Sequence, residues 1–515
     1  MACTYSGCTR GEVRAGACLF HLPNKNASEI KNFFSFVERQ IEDKASGEPN
    51  FVGFVFPPRF QICERSFPKT ANFRKAVFEG DVTFEHVRFD FGAIFDEANF
   101  AGALIVKDTS FGTAPLPKST TFTKAQFGQV TLENVVFYGY VQFNECNFAE
   151  EVMFDHTTFV QNSNFQACTF SGKACFENVR FVRDVAFSPF DYRSTQFAKY
   201  TTFAQTTFNG NAAFDKVSFL GETNFDGTEF SGYASFDHAK FLSRSSFFGA
   251  RFDSQVHFNE TGFRIAEFIQ TTFGDVASFK APVTKEISST MLIFHFTRFE
   301  KPRQVSFLAI PFVSLSFLRT DVSETLIVPP KSGVLTTGIL DEELLAVSKG
   351  HDSSSDRNDD LGRAAEILRP SLMEETVLYE YKNLRKSLES NRLFNEAAEL
   401  FVLEMRMARR RSGFSFEFVA SWLYDKISLF GESIKRPILL TLAVTLGTAL
   451  YFDIGNNLPR PWTLQNIALN APTLIQEFSP ILSDVLTVFF QMRDFSHTEY
   501  LTGAPVWAEI VLRIS

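Results

Sequence analysis

Four side chains near the start of the chain have the types and spacing to do chemistry. Cys3, Cys8, Cys18 and His21 form a C-x4-C-x9-C-x2-H pattern. Three thiolates and one imidazole make a tetrahedral Zn2+ set. Gly7, Gly11 and Gly16 lie between them and let a short loop wrap an ion. Such a knuckle folds with its metal, and four protein ligands close the site, so its expected role is structural. Other chemistry has no carrier. The chain contains no Walker loop, no Gly-x-Ser-x-Gly, no His-Glu-x-x-His and no dinucleotide fingerprint. The local spacing of the cluster suits a metal better than Cys/His nucleophilic catalysis. The expectation is a protein that is not an enzyme.

The elements that must position this cluster are set by phenylalanine. The chain has 515 residues, of which 45% are apolar, an ordinary share, but 64 are Phe. From about Phe73 to Phe279 they recur in steps that mostly alternate between five and six, as in Phe143, Phe148, Phe154, Phe159, Phe165, Phe170 and Phe176. On a helix, two side chains five apart would point about 140° apart and share no face. On a strand, residues i and i−2 share one. Small or β-branched residues stand two before many Phe: Val82 before Phe84, Ala98 before Phe100, Ala212 before Phe214. Each unit is then a very short strand with two inward side chains. Gly, Asp, Asn and Ser supply the corner that the odd step requires. Four sides close a rectangular coil of about twenty-two residues, and coils stack at about 4.8 Å. Roughly nine coils fit between Phe73 and Phe279.

The run Phe214-Asp-Lys-Val-Ser-Phe219-Leu-Gly-Glu-Thr-Asn-Phe225 resembles the pentapeptide-repeat proteins. The resemblance implies a right-handed quadrilateral β-helix, and the alternating five-six step is similar to a Phe-rich branch. Short Cys/His openings also precede Phe-rich repeats there. The predicted fold is mainly β, a solenoid followed by an α-helical C-terminal region. Its expected parts are the knuckle at 1–27, a capping helix and entry strand at 28–66, the solenoid at 67–330, a linker at 331–371, a helical hairpin at 372–412 and an apolar helical region at 413–515.

Within these parts several finer readings follow. Residues 28–45 are amphipathic, with Ile30, Phe33, Phe34, Val37 and Ile41 on one side and Ser28 as N-cap, and are expected to cover the open first coil. Residues 101–121 and 188–196 break the beat and carry Pro115, Pro117 and Pro189, so both are expected as loops. Cys146 and Cys168 are expected as small buried hydrophobes, and His86, His156 and His238 as surface residues at corners. The run 351–360 is expected as a solvated linker. Val377, Tyr381, Leu384 and Leu388 share one helix face, and Ala397, Ala398, Phe401 and Met405 another.

Net charge is −9, which argues against nonspecific nucleic-acid binding. Between Lys69 and Lys280 there are 18 Lys and Arg against 24 Asp and Glu, too mixed a surface to favour DNA mimicry and topoisomerase inhibition over other readings. Seven Cys without a paired framework fit a reducing compartment. Tyr381-x-x-Leu384-Arg-Lys386 and Asn395-Glu-Ala397-Ala-Glu-Leu-Phe401 resemble a hairpin of membrane-attached pentapeptide-repeat proteins. Residues 437–452 carry no charge, follow Lys435-Arg436 and end in Tyr451-Phe452, so they are expected as a transmembrane helix in contact with membrane lipid, short against the roughly twenty residues of a full span, with a buried helix as the alternative. The resulting expectation is a non-enzymatic scaffold that presents the solenoid to a protein partner at the cytoplasmic face of a bacterial inner membrane, with a homo-oligomer as one option. A channel-like effector with the solenoid as sensor is the alternative.

Overall fold

The computed structural model describes residues 3–5, 8–42, 47–113, 118–283, 290–330, 338–349, 358–411, 413 and 415–444. Two compact units divide the chain, residues 1–397 and residues 398–515. The first holds a parallel β-solenoid of about twelve turns, since one wall is a sheet of 12 strands. A second wall has 11 strands, and the remaining two walls are joined along a sheet of 20. Equivalent residues of successive turns pair in register, Val55 with Val77 and Phe56 with Phe78, then Val77 with Asn99 and Phe78 with Phe100.

The core is made by the repeat. On one wall Phe73, Phe95, Phe122, Phe143, Phe165, Phe187, Phe214, Phe236, Phe258, Phe279 and Phe307 form one uninterrupted pile. Their centroids are 4.4 to 5.0 Å apart and their planes within 2 to 11°. Nine of those steps separate Phe73 from Phe279, the number expected from the spacing. Each wall carries its own pile and the piles meet edge to face at the centre, as Phe214 does with Phe225 at 5.8 Å and 86°. That packing suits the ring quadrupole, and burying each Phe contributes about 2 kcal/mol.

The second inward position of each unit is small because it lies beneath a corner. At several of these positions a Thr or Cys donates its hydrogen to a carbonyl one turn earlier. Thr228 Oγ1 reaches Phe203 O at 2.9 Å, Thr271 Oγ1 reaches Phe247 O at 2.7 Å, and Cys168 Sγ reaches Phe143 O at 2.6 Å. Cys146 and Cys168 are buried, as expected for small core residues, and burial pushes the Cys146 thiol well up.

The corners differ from expectation. Left-handed backbone is needed there, yet it is carried by Lys75, His86, Glu97, Lys124, Glu145, His156, Lys216 and His238 far more often than by Gly. The local cost is about 1 kcal/mol per residue. It is offset because Lys75 N still donates to Asp96 O at 2.8 Å and the flanking Phe stay in their piles. His86, His156 and His238 are exposed there, as read. Glycine is required at a closer approach: a Cβ on Gly172 would lie 2.3 Å from the Glu150 backbone.

Only part of 101–121 is a loop. Leu104–Lys107 and Ser110–Phe111 are strands in register, and the beat fails because Val106 and Leu132 stand where the wall otherwise carries Phe84 and Phe154. The missing rings leave an apolar cavity of about 10 Å³ lined by Phe84, Phe95, Val106, Phe122, Leu132 and Phe143, among others. Residues 114–117, with Pro115 and Pro117, lie outside the described residues. The second insertion is a loop as expected, with Phe190 and Arg193 bridged and Tyr192 fully exposed.

Helices close both ends. Helix α1, Ala27–Glu42, buries Phe33, Val37 and Ile41. Its cap is Asn26 rather than Ser28, because Asn26 Oδ1 accepts from Glu29 N at 3.0 Å while Glu29 Oε2 accepts from Asn26 N at 2.7 Å. Two helices, α2 Leu340–Ser348 and α3 Asn358–Leu368, occupy the segment read as a linker. Leu340, Leu344, Leu345, Leu361, Ala364, Ala365 and Leu368 are buried, an apolar spacing overshadowed by the Ser/Asp run between them. Helix α4, Glu374–Ser390, buries Val377, Tyr381, Leu384 and Leu388 as read. Helix α5, Phe394–Arg411, buries Ala397, Leu400, Val402 and Met407, a face turned from the Ala398, Phe401 and Met405 expected.

In the second unit helix α6, Phe416–Ser428, buries Asp425 and Ser428. Asp425 receives Arg406 Nη2 at 3.0 Å and Arg409 Nη2 at 3.1 Å. Phe416, Val419, Trp422 and Leu423 are exposed. Residues 435–444 are helical. Among the described residues no helix is long and apolar enough to cross a membrane, and residues 445–452 of the expected lipid-facing segment lie outside them.

Candidate metal centre

The structure brings all four predicted ligands together. Their ligand atoms lie within 4.8 Å of one another. Cys3 Sγ is 3.4 Å and Cys18 Sγ 3.3 Å from His21 Nδ1, and Cys8 Sγ is 3.8 Å from Cys18 Sγ. A tetrahedral zinc site places sulfurs about 3.8 Å apart and sulfur and nitrogen about 3.6 Å apart. The donor set and its spacing therefore fit such an ion. All seven cysteines are free, so no disulfide competes for these sulfurs.

Local backbone bonds make the pocket. Thr4 N donates to Gly16 O at 2.8 Å and Cys3 N to Arg10 O at 3.0 Å, which folds the first residues across the later loop. Gly16 takes φ of 75° to make that turn. Cys18 N points at Cys3 Sγ, 3.3 Å away. Burial opposes a thiolate at Cys3, yet backbone N–H groups of Cys18 and Tyr5 outweigh it and hold the thiol below its ordinary value. Burial pushes Cys18 up. Burial, helped by the charges of Arg10 and Lys25, pushes His21 below the usual imidazole range, which keeps the ring neutral as a ligand must be.

Sequence reasoning missed the residues that hold the knuckle in place. Tyr5 stacks on His21 at 4.0 Å and 11°, and its hydroxyl fills the space that a Cβ on Gly53 would take. Phe20 packs on Phe36 at 4.5 Å and Phe54 at 4.8 Å, with the Arg10 guanidinium 4.0 Å over its ring. Lys25 is buried, and its ammonium donates to Leu22 O at 2.6 Å and Val55 O at 2.5 Å. Burial pushes its pKa down to about 8 against the pull of Glu79 and Glu29. The available signal was aromatic: Tyr5 and Phe20 flank the ligands in a stretch otherwise poor in large side chains.

Comparison with known proteins agrees with the fold. The family model described as pentapeptide repeats (9 copies) matches residues 66–110, 193–240 and 203–251. An uncharacterized protein of Methanocaldococcus jannaschii, MJ1147, is 33% identical over 140 residues, 27% of this chain and 29% of that relative. The match thus spans under a third of the relative's length. No solved structure matches the chain. Repeat spacing, parallel four-walled stacking and the family match together identify the β-region of this chain as a pentapeptide-repeat solenoid.

Proposed function

We propose that this protein is a non-catalytic scaffold whose solenoid presents long, flat walls to a protein partner, with structural Zn2+ in the knuckle. The observation that supports it best is the filled interior. Phe piles occupy the centre, and the cavity that interrupts them is small and lined by apolar side chains. Catalysis draws instead on converging polar groups in an open pocket. Outward positions of one wall, Asn99, Gln126, Asn147, Thr169, Gln196 and Ser218, form an uninterrupted polar row at strand spacing. The test is cross-linking of the full chain to captured partners, followed by Asn147→Arg with Thr169→Arg. Loss of capture with unchanged circular dichroism supports the scaffold. Capture that survives on every wall so altered, and disappears only on removing residues 398–515, refutes it.

Membrane attachment through the second unit is a further part of this proposal. It is supported by the exposed Phe416, Val419, Trp422 and Leu423, by the exposed Ile438, Leu439, Leu440, Leu442 and Val444, and by nearby Lys426, Lys435 and Arg436. Flotation with anionic liposomes, and its loss in Trp422→Glu, tests it. Nothing in the described residues favours ion conduction or topoisomerase inhibition.

A further inference from the structure

Inside the solenoid each first-wall strand takes its backbone partners from the turn before. Val77 N donates to Phe54 O at 2.8 Å and Asn99 N to Ala76 O at 2.9 Å. Val55 stands on the first strand, where no earlier turn exists. Its N–H still has a partner, because it donates to Phe20 O at 2.8 Å. Its carbonyl has one too, because it accepts from Lys25 Nζ at 2.5 Å. Phe20 precedes the ligand His21, and Lys25 follows it by four residues. The segment that carries two of the four ligands therefore stands in for the missing turn. The ring of Phe20 lies on Phe54 and Phe33, so one short stretch supplies both the edge hydrogen bonds and the apolar cover. The second contact runs through His21 itself, which stacks on Tyr5 at 4.0 Å and meets Phe54 edge to face at 5.9 Å.

We infer that the knuckle is a removable rung: metal held by Cys3, Cys8, Cys18 and His21 fixes the Phe20 carbonyl and the Lys25 ammonium against Val55, and metal loss opens the front strand edge of the solenoid. The inference rests on the zinc reading of the site. Without the ion the knuckle is held by Phe20 and by Tyr5 through His21 at one face only, whereas the turns behind it are stacked on both sides. Opening is therefore confined to the front. Such an edge, once bare, is a row of unpaired backbone groups.

The test uses the full chain, purified without chelator, with metal content measured by elemental analysis and backbone hydrogen exchange followed before and after chelation. Less than about half an equivalent of zinc removes the zinc reading itself. With zinc bound, chelation is expected to speed exchange of the Val55 amide and of 27–42 on the order of a hundredfold, while 143–280 stays unchanged. Metal that leaves without changing exchange at Val55 overturns the inference and leaves the zinc reading standing. Lys25→Met separates the rung from the ion. It should retain zinc and still speed exchange at 55–56 on the order of tenfold, the loss of a charged hydrogen bond. Unchanged exchange at 55–56 in that variant also overturns the inference.

Discussion

The two ends of the solenoid meet the same problem with different chemistry. Each presents unpaired backbone groups that other chains could pair with. At the front the groups are taken by a backbone carbonyl and an ammonium from a loop that carries two of the candidate metal ligands. At the rear they are taken by side chains of helix α4 and of Asn391, the residue that caps its C-terminus. Glu380 Oε1 accepts from Phe317 N at 2.5 Å, Ser387 Oγ and Asn391 Nδ2 donate to Thr325 O at 2.8 and 2.7 Å, and Ser390 Oγ donates to Ser323 O at 3.3 Å. Beside them His295, Ser316 and Asp341 make a buried chain, with Ser316 Oγ hydrogen-bonded to both His295 Nε2 and Asp341 Oδ1. A helix is rigid enough to aim four side chains at one edge. A loop has no such framework, and under the zinc reading the ion supplies one.

That difference can be broken from either side. Cys18→Ser should have the largest effect, since removing one ligand removes the site. Residues 3–42 should become open to protease while 143–280 stays resistant, and resistance at both would contradict a metal-dependent front. Next is Glu380→Ala, which leaves the buried Phe317 N–H unpaired and should destabilise the rear by about 2 kcal/mol. Glu380→Gln keeps an acceptor and should cost less. Denaturant unfolding with exchange at 305–328 measures both, and equal losses would mean that Glu380 acts through its charge. Ser387→Ala removes one of two donors to Thr325 O and should cost about 1 kcal/mol, read the same way.

Acidity gives the most selective contrast. Lys25 titrates at about 8 in the fold against 10.5 for an ordinary lysine. The unfolded chain therefore binds more protons between these values, so the front should gain stability as pH rises from 8 to 10.5. Below pH 8 the lysine is charged in both states and the gain is absent. The slope should vanish in Lys25→Met and be missing at the rear, as exchange at 55–56 and at 317 will report.

The middle was far more legible than the ends. A step of five or six between Phe143, Phe148, Phe154 and Phe159 can be met only by strands and corners, so the walls followed. The candidate metal cluster was legible because its side-chain types have few other uses at that density. Tyr5, Phe20 and Lys25 were not, since their roles depend on Gly53 and Val55, which are distant along the chain. Helices α2 and α3 were obscured by the polar run between them. Val106 reads as part of a loop because the aromatic signal lapses there while the strand persists.

By itself the sequence determined the repeat, the inward phenylalanines and the ligand set, because each is a local pattern of side-chain type and spacing. Only tertiary structure decided how the ends are closed. The partner of an edge N–H or C=O is whatever donor or acceptor folding brings within about 3 Å, and periodicity does not encode it. Hence a lysine at the front and a glutamate at the rear, each ordinary in sequence, became the residues that finish the solenoid.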